Sequence, residues 1–153
     1  MDKIFNEGSL IMGYEVKEKV LFMYSLADYL DNSLKLLDPE IRAALFAQEN
    51  RPIITSVKDS SPTRYGDLAR VGNSLIADGA IIEGEVRNSI IFRGVRVDKY
   101  AVVENSVILQ DATVSEGAHL SYAVLDKSVI IQNGRNLSGY ITHPFYLGHG
   151  QVI

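Results

Sequence analysis

The larger branched residues of this chain fall at regular intervals. Val71, Ile76, Ile82, Val86, Ile91, Val97, Val103, Ile108, Val114, Leu120, Leu125, Ile131 and Leu137 follow one another, from Ile91 onward, at spacings of 6, 6, 5, 6, 6, 5, 6 and 6. A second column lies two residues earlier and is mostly small: Ser74, Ala80, Ser89, Val95, Ala101, Ser106, Ala112, Ala118, Ala123 and Val129. Residues two apart in extended backbone share a face. Each short strand therefore turns one small and one branched side chain the same way. Three such strands per row, with corners between them, make a triangular coil, and a fixed period marks a solenoid. The spacing predicts a mainly β chain, a parallel β-helix of hexapeptide repeats over 71–153, with four full coils and a partial fifth.

The rows NSIIFRGVRVDKYAVVE (88–104) and NSVILQDATVSEGAHLS (105–121) have 17 residues, whereas NSLIADGAIIEGEVR from Asn73 has 15. Asn73, Asn88 and Asn105 open these rows at one corner, where Asn tolerates left-handed backbone and identical amides stack as a ladder. Beyond Leu137 the series continues less regularly through Ile141, Leu147 and Ile153, with Tyr140, Phe145 and Tyr146 placed to plug the open end.

One outward column departs from the rest. Leu75, Ile90, Val107 and Val124 each precede an inward branched residue, so they point out, yet all four are apolar. The matching columns on the other faces mix in Arg96, Thr113, His119 and Asn136. A continuous apolar stripe needs a cover, from the N-terminal part of the chain, another domain or another subunit. These four are the candidate interface.

Ahead of the coil, 25–70 reads as a helical linker. Ser25 caps a helix carrying Leu26, Tyr29, Leu30, Leu34 and Leu37, and Asp38-Pro39-Glu40 starts a second one that Arg51-Pro52 ends. RPIITSV is expected as a short strand. Within 1–24, KIF, LIMGYEV and KVLFMY read as strand pieces with too little core of their own. They are expected to be the last strands of a missing domain.

Composition narrows the function. A net charge of -4 and a pI near 5.3 leave no basic stripe for nucleic acid. The absence of cysteine removes disulfides and thiolate-bound zinc. No apolar run approaches the roughly 20 residues of a membrane span, and the N-terminus lacks signal-peptide order, so a cytoplasmic location is expected.

GYEVKEKVLFMYSLADYLDNSLKLLD, RPIITSVKDSSPTRYG, NSLIADGAIIEGEVRNSIIFRGVRV and AVLDKSVII together resemble the C-terminal part of bacterial glucose-1-phosphate adenylyltransferase, above all its regulatory, D-type subunit of glycogen biosynthesis. The resemblance runs from about Met12 to Ile153. It implies a left-handed coil, a preceding nucleotidyltransferase domain, and contacts with that domain and with neighbouring subunits, of the catalytic type or of its own. It also implies a parent enzyme that uses ATP and Mg2+ to convert glucose 1-phosphate to ADP-glucose. The Gly-rich phosphate loop this chemistry needs is not in the sequence, so no catalytic, cofactor or metal residue is expected in this chain. For anionic effectors the resemblance points to Lys127, in AVLDK. His149, in LGHGQVI, stands where relatives often carry Lys, a departure that weakens the expectation of activator response. Arg135 stands where the repeat expects a small inward residue, and is read as turned to solvent ahead of an effector role.

Three other readings of a hexapeptide coil remain. An acyl-CoA-dependent acyltransferase needs a catalytic His at a subunit interface, with His119, His143 and His149 to choose from. A β-helical zinc enzyme needs three His at one metal, and these three are poorly spaced for it. A free-standing binding module is the bland alternative. Asp98 with Glu104, and Glu83 with Glu85, read as solvated surface.

Overall fold

The computed structural model describes residues 12–47, 49–50, 52–55 and 59–153. Its body is a three-sided parallel coil in which each side is a five-stranded sheet. The first sheet stacks β1 (Arg64–Tyr65), β4 (Ile81–Ile82), β7 (Arg96–Val97), β10 (Thr113–Val114) and β13 (Ile130–Ile131). The second stacks β2 (Arg70–Gly72), β5 (Glu85–Arg87), β8 (Val102–Glu104), β11 (His119–Ser121) and β14 (Asn136–Ser138). The third stacks β3 (Leu75–Ile76), β6 (Ile90–Ile91), β9 (Val107–Ile108), β12 (Ala123–Leu125) and β15 (Phe145–Leu147).

Register follows the repeat. Val86, Val103, Leu120 and Leu137 stand above one another on the second sheet, and Ile91, Ile108 and Leu125 on the third. The branched column from Ile82 to Ile131 and the alanines of the small column fill the tube and are buried. Each fully buried Val, Ile or Leu contributes roughly 1.5–3 kcal/mol. The coil begins earlier than the expected Val71, because Arg64 and Tyr65 already pair with Ile81 and Ile82.

Corner chemistry keeps the backbone satisfied. Asn73, Asn88 and Asn105 have φ of 42, 45 and 49°, and their side chains form the expected ladder, Asn73 donating to Asn88 at 2.8 Å and Asn88 to Asn105 at 3.4 Å. Behind it runs a serine ladder. Ser74 Oγ accepts from Ser89 N–H at 3.1 Å, Ser89 Oγ from Ser106 N–H at 3.1 Å, and Ser106 Oγ from Ala123 N–H at 2.9 Å. Ser89 and Ser106 are thus buried polar residues with partners.

The 15-residue row is a cut corner. Where the coil above turns through residues 98–101, this one passes straight through Gly84, whose O accepts from Arg70 N–H at 3.0 Å. A Cβ on Gly84 would run into the backbone oxygens of Ala101 and Asp98, so only glycine fits.

Two helices precede the coil: α1 (Leu26–Lys35) and α2 (Pro39–Phe46). Ser25 Oγ accepts from Asp28 N–H at 3.1 Å and donates to Asp28 Oδ2 at 2.8 Å, and Tyr24 N–H reaches the same oxygen at 3.2 Å. Ser25 is thus the N-cap, and Asp28 reaches back as the acid of a capping box does, but to the N–H one residue ahead of the cap. Asp38 Oδ1 accepts from Glu40 N–H at 2.8 Å, with Pro39 at the first helical position.

Three expectations are corrected. Residues 52–55, expected as a strand, form none, and Ile54 is exposed; residues 12–24 are unpaired within this chain, with Met12, Tyr14 and Phe22 exposed, as strand pieces without a sheet edge are. The KIF segment, Arg51 and residues 56–58 lie outside the described residues. Near the C-terminus, Leu125 pairs with Leu147, a step of 22 residues instead of 17. The extra five form a bulge closed by Tyr140 N–H to His143 O at 3.0 Å, so Ile141 leaves the column and is exposed. Tyr140 and Tyr146 are exposed as well, and of the three expected plugs Phe145 alone packs against the core.

Candidate interface and effector residues

The outward stripe on the third sheet divides into two halves. α1 lies over the upper half. Leu30 is fully buried against Val107 and Val124, which are 0% and 3% exposed, and Leu26, Tyr29, Leu34, Leu109 and Tyr122 close around them. The apolar side of α1 and that of the coil thus cover each other within one chain. Asn32, buried at the helix edge, donates to Phe22 O at 2.6 Å and ties down the segment ahead of α1. Burial pushes the Tyr29 hydroxyl above its ordinary pKa; a hydrogen bond with Ser33 opposes this and the charge of Asp126 adds to it.

The lower half is only partly covered, with Ile90 and Phe92 packed against the edge of this cluster. Leu75, Ala77, Ile90 and Phe92 are half-buried and bound a shallow groove of about 210 Å³ beside the helix. Of the four candidate interface residues, Val107 and Val124 are therefore inside an intramolecular contact. Leu75 and Ile90 remain on a surface, joined there by Phe92, which the sequence reading passed over. Its signal was present: Phe92 lies two residues after Ile90, on the same outward side.

The other two outer faces are mixed, and ion pairs tie their charged residues. On the second sheet Arg87 sits between Glu85 at 2.6 Å and Glu104 at 2.9 Å, and both hold its guanidinium above the ordinary pKa, the Glu85 hydrogen bond most of all. On the first, Arg96 is held by Asp98 and lies 3.5 Å from Glu83. The carboxylate pairs are thus partners of arginine. His119 stands 3.8 Å from Glu104 on the second face, His143 lies in the 140–144 bulge beside Thr142, and His149 lies in a corner after the third sheet. The three histidines do not meet. Among the described residues no group of three or more His, Asp or Glu side chains is arranged to hold a metal ion, and no helix is long and apolar enough to cross a membrane.

Of the effector candidates, the structure brings Lys127 and His149 to one corner in successive coils, where Gly150 N–H donates to Lys127 O at 2.9 Å. Both side chains are exposed. Arg135 belongs to a different corner, between the first and second sheets, and is turned to solvent with Gln132 at 3.4 Å. The three do not form a single site.

Comparison with known proteins agrees with this geometry. Residues 59–139 match the family described as GlmU-like, C-terminal hexapeptide. The glycogen biosynthesis protein GlgD of Bacillus subtilis is 40% identical over 89 residues, covering 58% of this chain and 26% of its own length. GlgD of Geobacillus stearothermophilus is 47% identical over 72 residues, 47% of this chain and 21% of its own. Glucose-1-phosphate adenylyltransferase of Bacillus cereus (strain Q1) is 28% identical over 132 residues, 86% of this chain and 35% of its own. The chain therefore spans between about a fifth and a third of these relatives, and the resemblance read from its motifs is the one the comparisons return. With a family match over more than half its length and the three-sided coil that the repeat dictates, the chain belongs to the GlmU-like C-terminal hexapeptide family.

Proposed function

We propose that this chain is the C-terminal regulatory and assembly module of a glucose-1-phosphate adenylyltransferase-type protein of glycogen biosynthesis, acting in the cytoplasm. Its role is to join domains and subunits and to pass on effector state; adenylyl transfer, with its ATP and Mg2+, belongs to a nucleotidyltransferase domain. The observation that carries this reading is the divided stripe. Its upper half is sealed by α1, while Ile90 and Phe92, packed at the edge of that cluster, and Leu75 beyond them continue the same apolar surface only half-buried. An apolar surface continuous with an established contact, on a coil whose other two faces are mixed, is where a second body docks. The exposed apolar side chains of 12–24 lie just ahead of α1 in sequence and supply further surface of the same kind. The partner is a catalytic-type adenylyltransferase subunit or domain. An anionic effector would meet Lys127 and His149 together, without Arg135.

The test mixes the purified chain with the Bacillus cereus glucose-1-phosphate adenylyltransferase and follows ADP-glucose formation. The chain alone should make no ADP-glucose, and adding it should alter the enzyme's response to activators. Turnover by the chain alone, or an enzyme whose kinetics and sedimentation ignore it, would overturn the reading.

A further inference from the structure

The cut corner at Gly84 leaves a notch in the ridge between the first and second sheets. The corner below it, residues 66–69, and the corner above it, residues 98–101, both project past the shortened turn. Between them lies a cavity of about 390 Å³ with Gly84 as its floor, Leu68, Ala69, Tyr100, Ala101 and Val102 as its walls, and Asp67, Arg70 and Glu85 as its charged lining. Corners two coils apart stand about 10 Å apart at the roughly 4.8 Å coil spacing. One branched or aromatic group fits between them, and a helix about 10 Å across does not.

Three features make this more than a gap. First, Tyr100 holds φ at +60° and is 67% exposed. The same corner position in the next two coils is Gly117 and Gly134, at +68 and +66°. A bulky side chain in left-handed backbone is costly. Tyr122, the other tyrosine so placed, is packed under α1. Tyr100 has no such packing.

Second, a donor is left over. Gly117 N–H donates down to Lys99 O at 3.2 Å and Gly134 N–H to Glu116 O at 2.9 Å. The residue that would accept from Tyr100 N–H in this series is one of the two missing from the short row, and no backbone acceptor among the described residues replaces it. Third, Arg70 lines the same cavity. Arg87 and Arg96 each have two carboxylates, whereas Arg70 has no ion pair among the described residues. Glu85, opposite it in register, is already held by Arg87 at 2.6 Å.

We propose that this notch is a binding site for a small organic carboxylate with an aliphatic or aromatic body. The body lies between Leu68 and the Tyr100 ring over Gly84. The carboxylate takes the Arg70 guanidinium, whose fork suits a planar anion, and the left-over Tyr100 N–H. An inorganic anion would gain the charge contacts and waste the apolar walls.

The test is a titration of the isotope-labelled chain with N-acetyl-leucine, followed by amide shifts. Expected is saturable binding, with a dissociation constant on the order of a millimolar for so small a probe, and shifts centred on Ala69, Tyr100 and Val102. N-acetyl-leucinamide, which lacks the carboxylate, should bind at least about fivefold more weakly, as should the probe to Arg70→Met. Tyr100→Gly separates structure from binding, since it installs the residue the upper coils use: the coil should stay folded with its melting temperature kept or raised, and the probe should be lost. Absence of saturable shifts, equal binding of the amide, unchanged affinity in Arg70→Met, or shifts centred elsewhere would each overturn the site. Loss of the fold in Tyr100→Gly would make Tyr100 a structural residue and overturn its place in the site.

Discussion

The second and third faces of the coil share one backbone, one register and the same inward columns, and differ in what they turn outward. On the second face Glu85, Arg87 and Glu104 pair with one another in water. On the third, Ile90, Phe92 and Leu109 hold the equivalent positions, and Val107 and Val124 beside them are sealed by Leu30 of α1. The stacking of coils is indifferent to this choice, because the ladder uses main-chain groups and the core uses the inward column. Outward side chains are therefore free to decide which face stays wet and which acquires a partner. This freedom lets a repeat protein carry a specific interface on an unspecific scaffold.

The contrast is broken most severely at its centre. Leu30→Asp puts a carboxylate between Val107 and Val124, where burying an unpaired charge costs more than about 3 kcal/mol. The expected result is release of α1: amides of 26–35 lose protection from hydrogen exchange while the coil's ladder keeps it. If coil and helix melt together, the helix is part of the core and the two faces are less independent than their chemistry suggests.

Tyr29→Phe is milder, removing at neutral pH a hydrogen bond worth about 1 kcal/mol. Its signature is in alkali. Burial raises the Tyr29 pKa in the folded chain, so this contribution is complete below the unfolded value near 10. It is lost as pH rises through the higher folded value, because the unfolded chain gives up its proton first. Denaturant midpoints should fall more steeply above about pH 10 in the native sequence than in Tyr29→Phe. The smallest effect belongs to the wet faces. Arg96→Ala removes exposed ion pairs to Asp98 and Glu83 and should cost less than about 1 kcal/mol, a difference that fades in salt.

How much of this was legible depended on repetition. Thirteen branched residues at regular intervals specify the coil because each row restates the one before it, and Asn73, Asn88 and Asn105 mark the same corner three times over. Single departures were harder to read. Tyr65 stands six residues before Val71 but carries no branched neighbour, so the first turn passed for linker. The 140–144 bulge shifted the frame by five, and Ile141 then fell at a spacing that looked serviceable. The stripe announced that it needed a cover, and Leu26, Leu30 and Leu34 announced an apolar helix face. That each was the other's cover is a fact of tertiary contact, which no spacing encodes. The effector candidates illustrate the same limit: Lys127 and His149 share a corner because their coils stack, while Arg135 is closer to Lys127 in sequence and belongs to another edge.

The central claim is that the partly covered half of the stripe is an assembly face. Sedimentation velocity of the chain mixed with a glucose-1-phosphate adenylyltransferase subunit, native against Ile90→Asp, tests it most directly. Ile90 is half-buried on the outer surface, so the substitution should leave the circular dichroism of the coil unchanged. The native chain should co-sediment with the enzyme and Ile90→Asp should sediment alone. Co-sedimentation undiminished by Ile90→Asp would place the contact on another face and contradict the account.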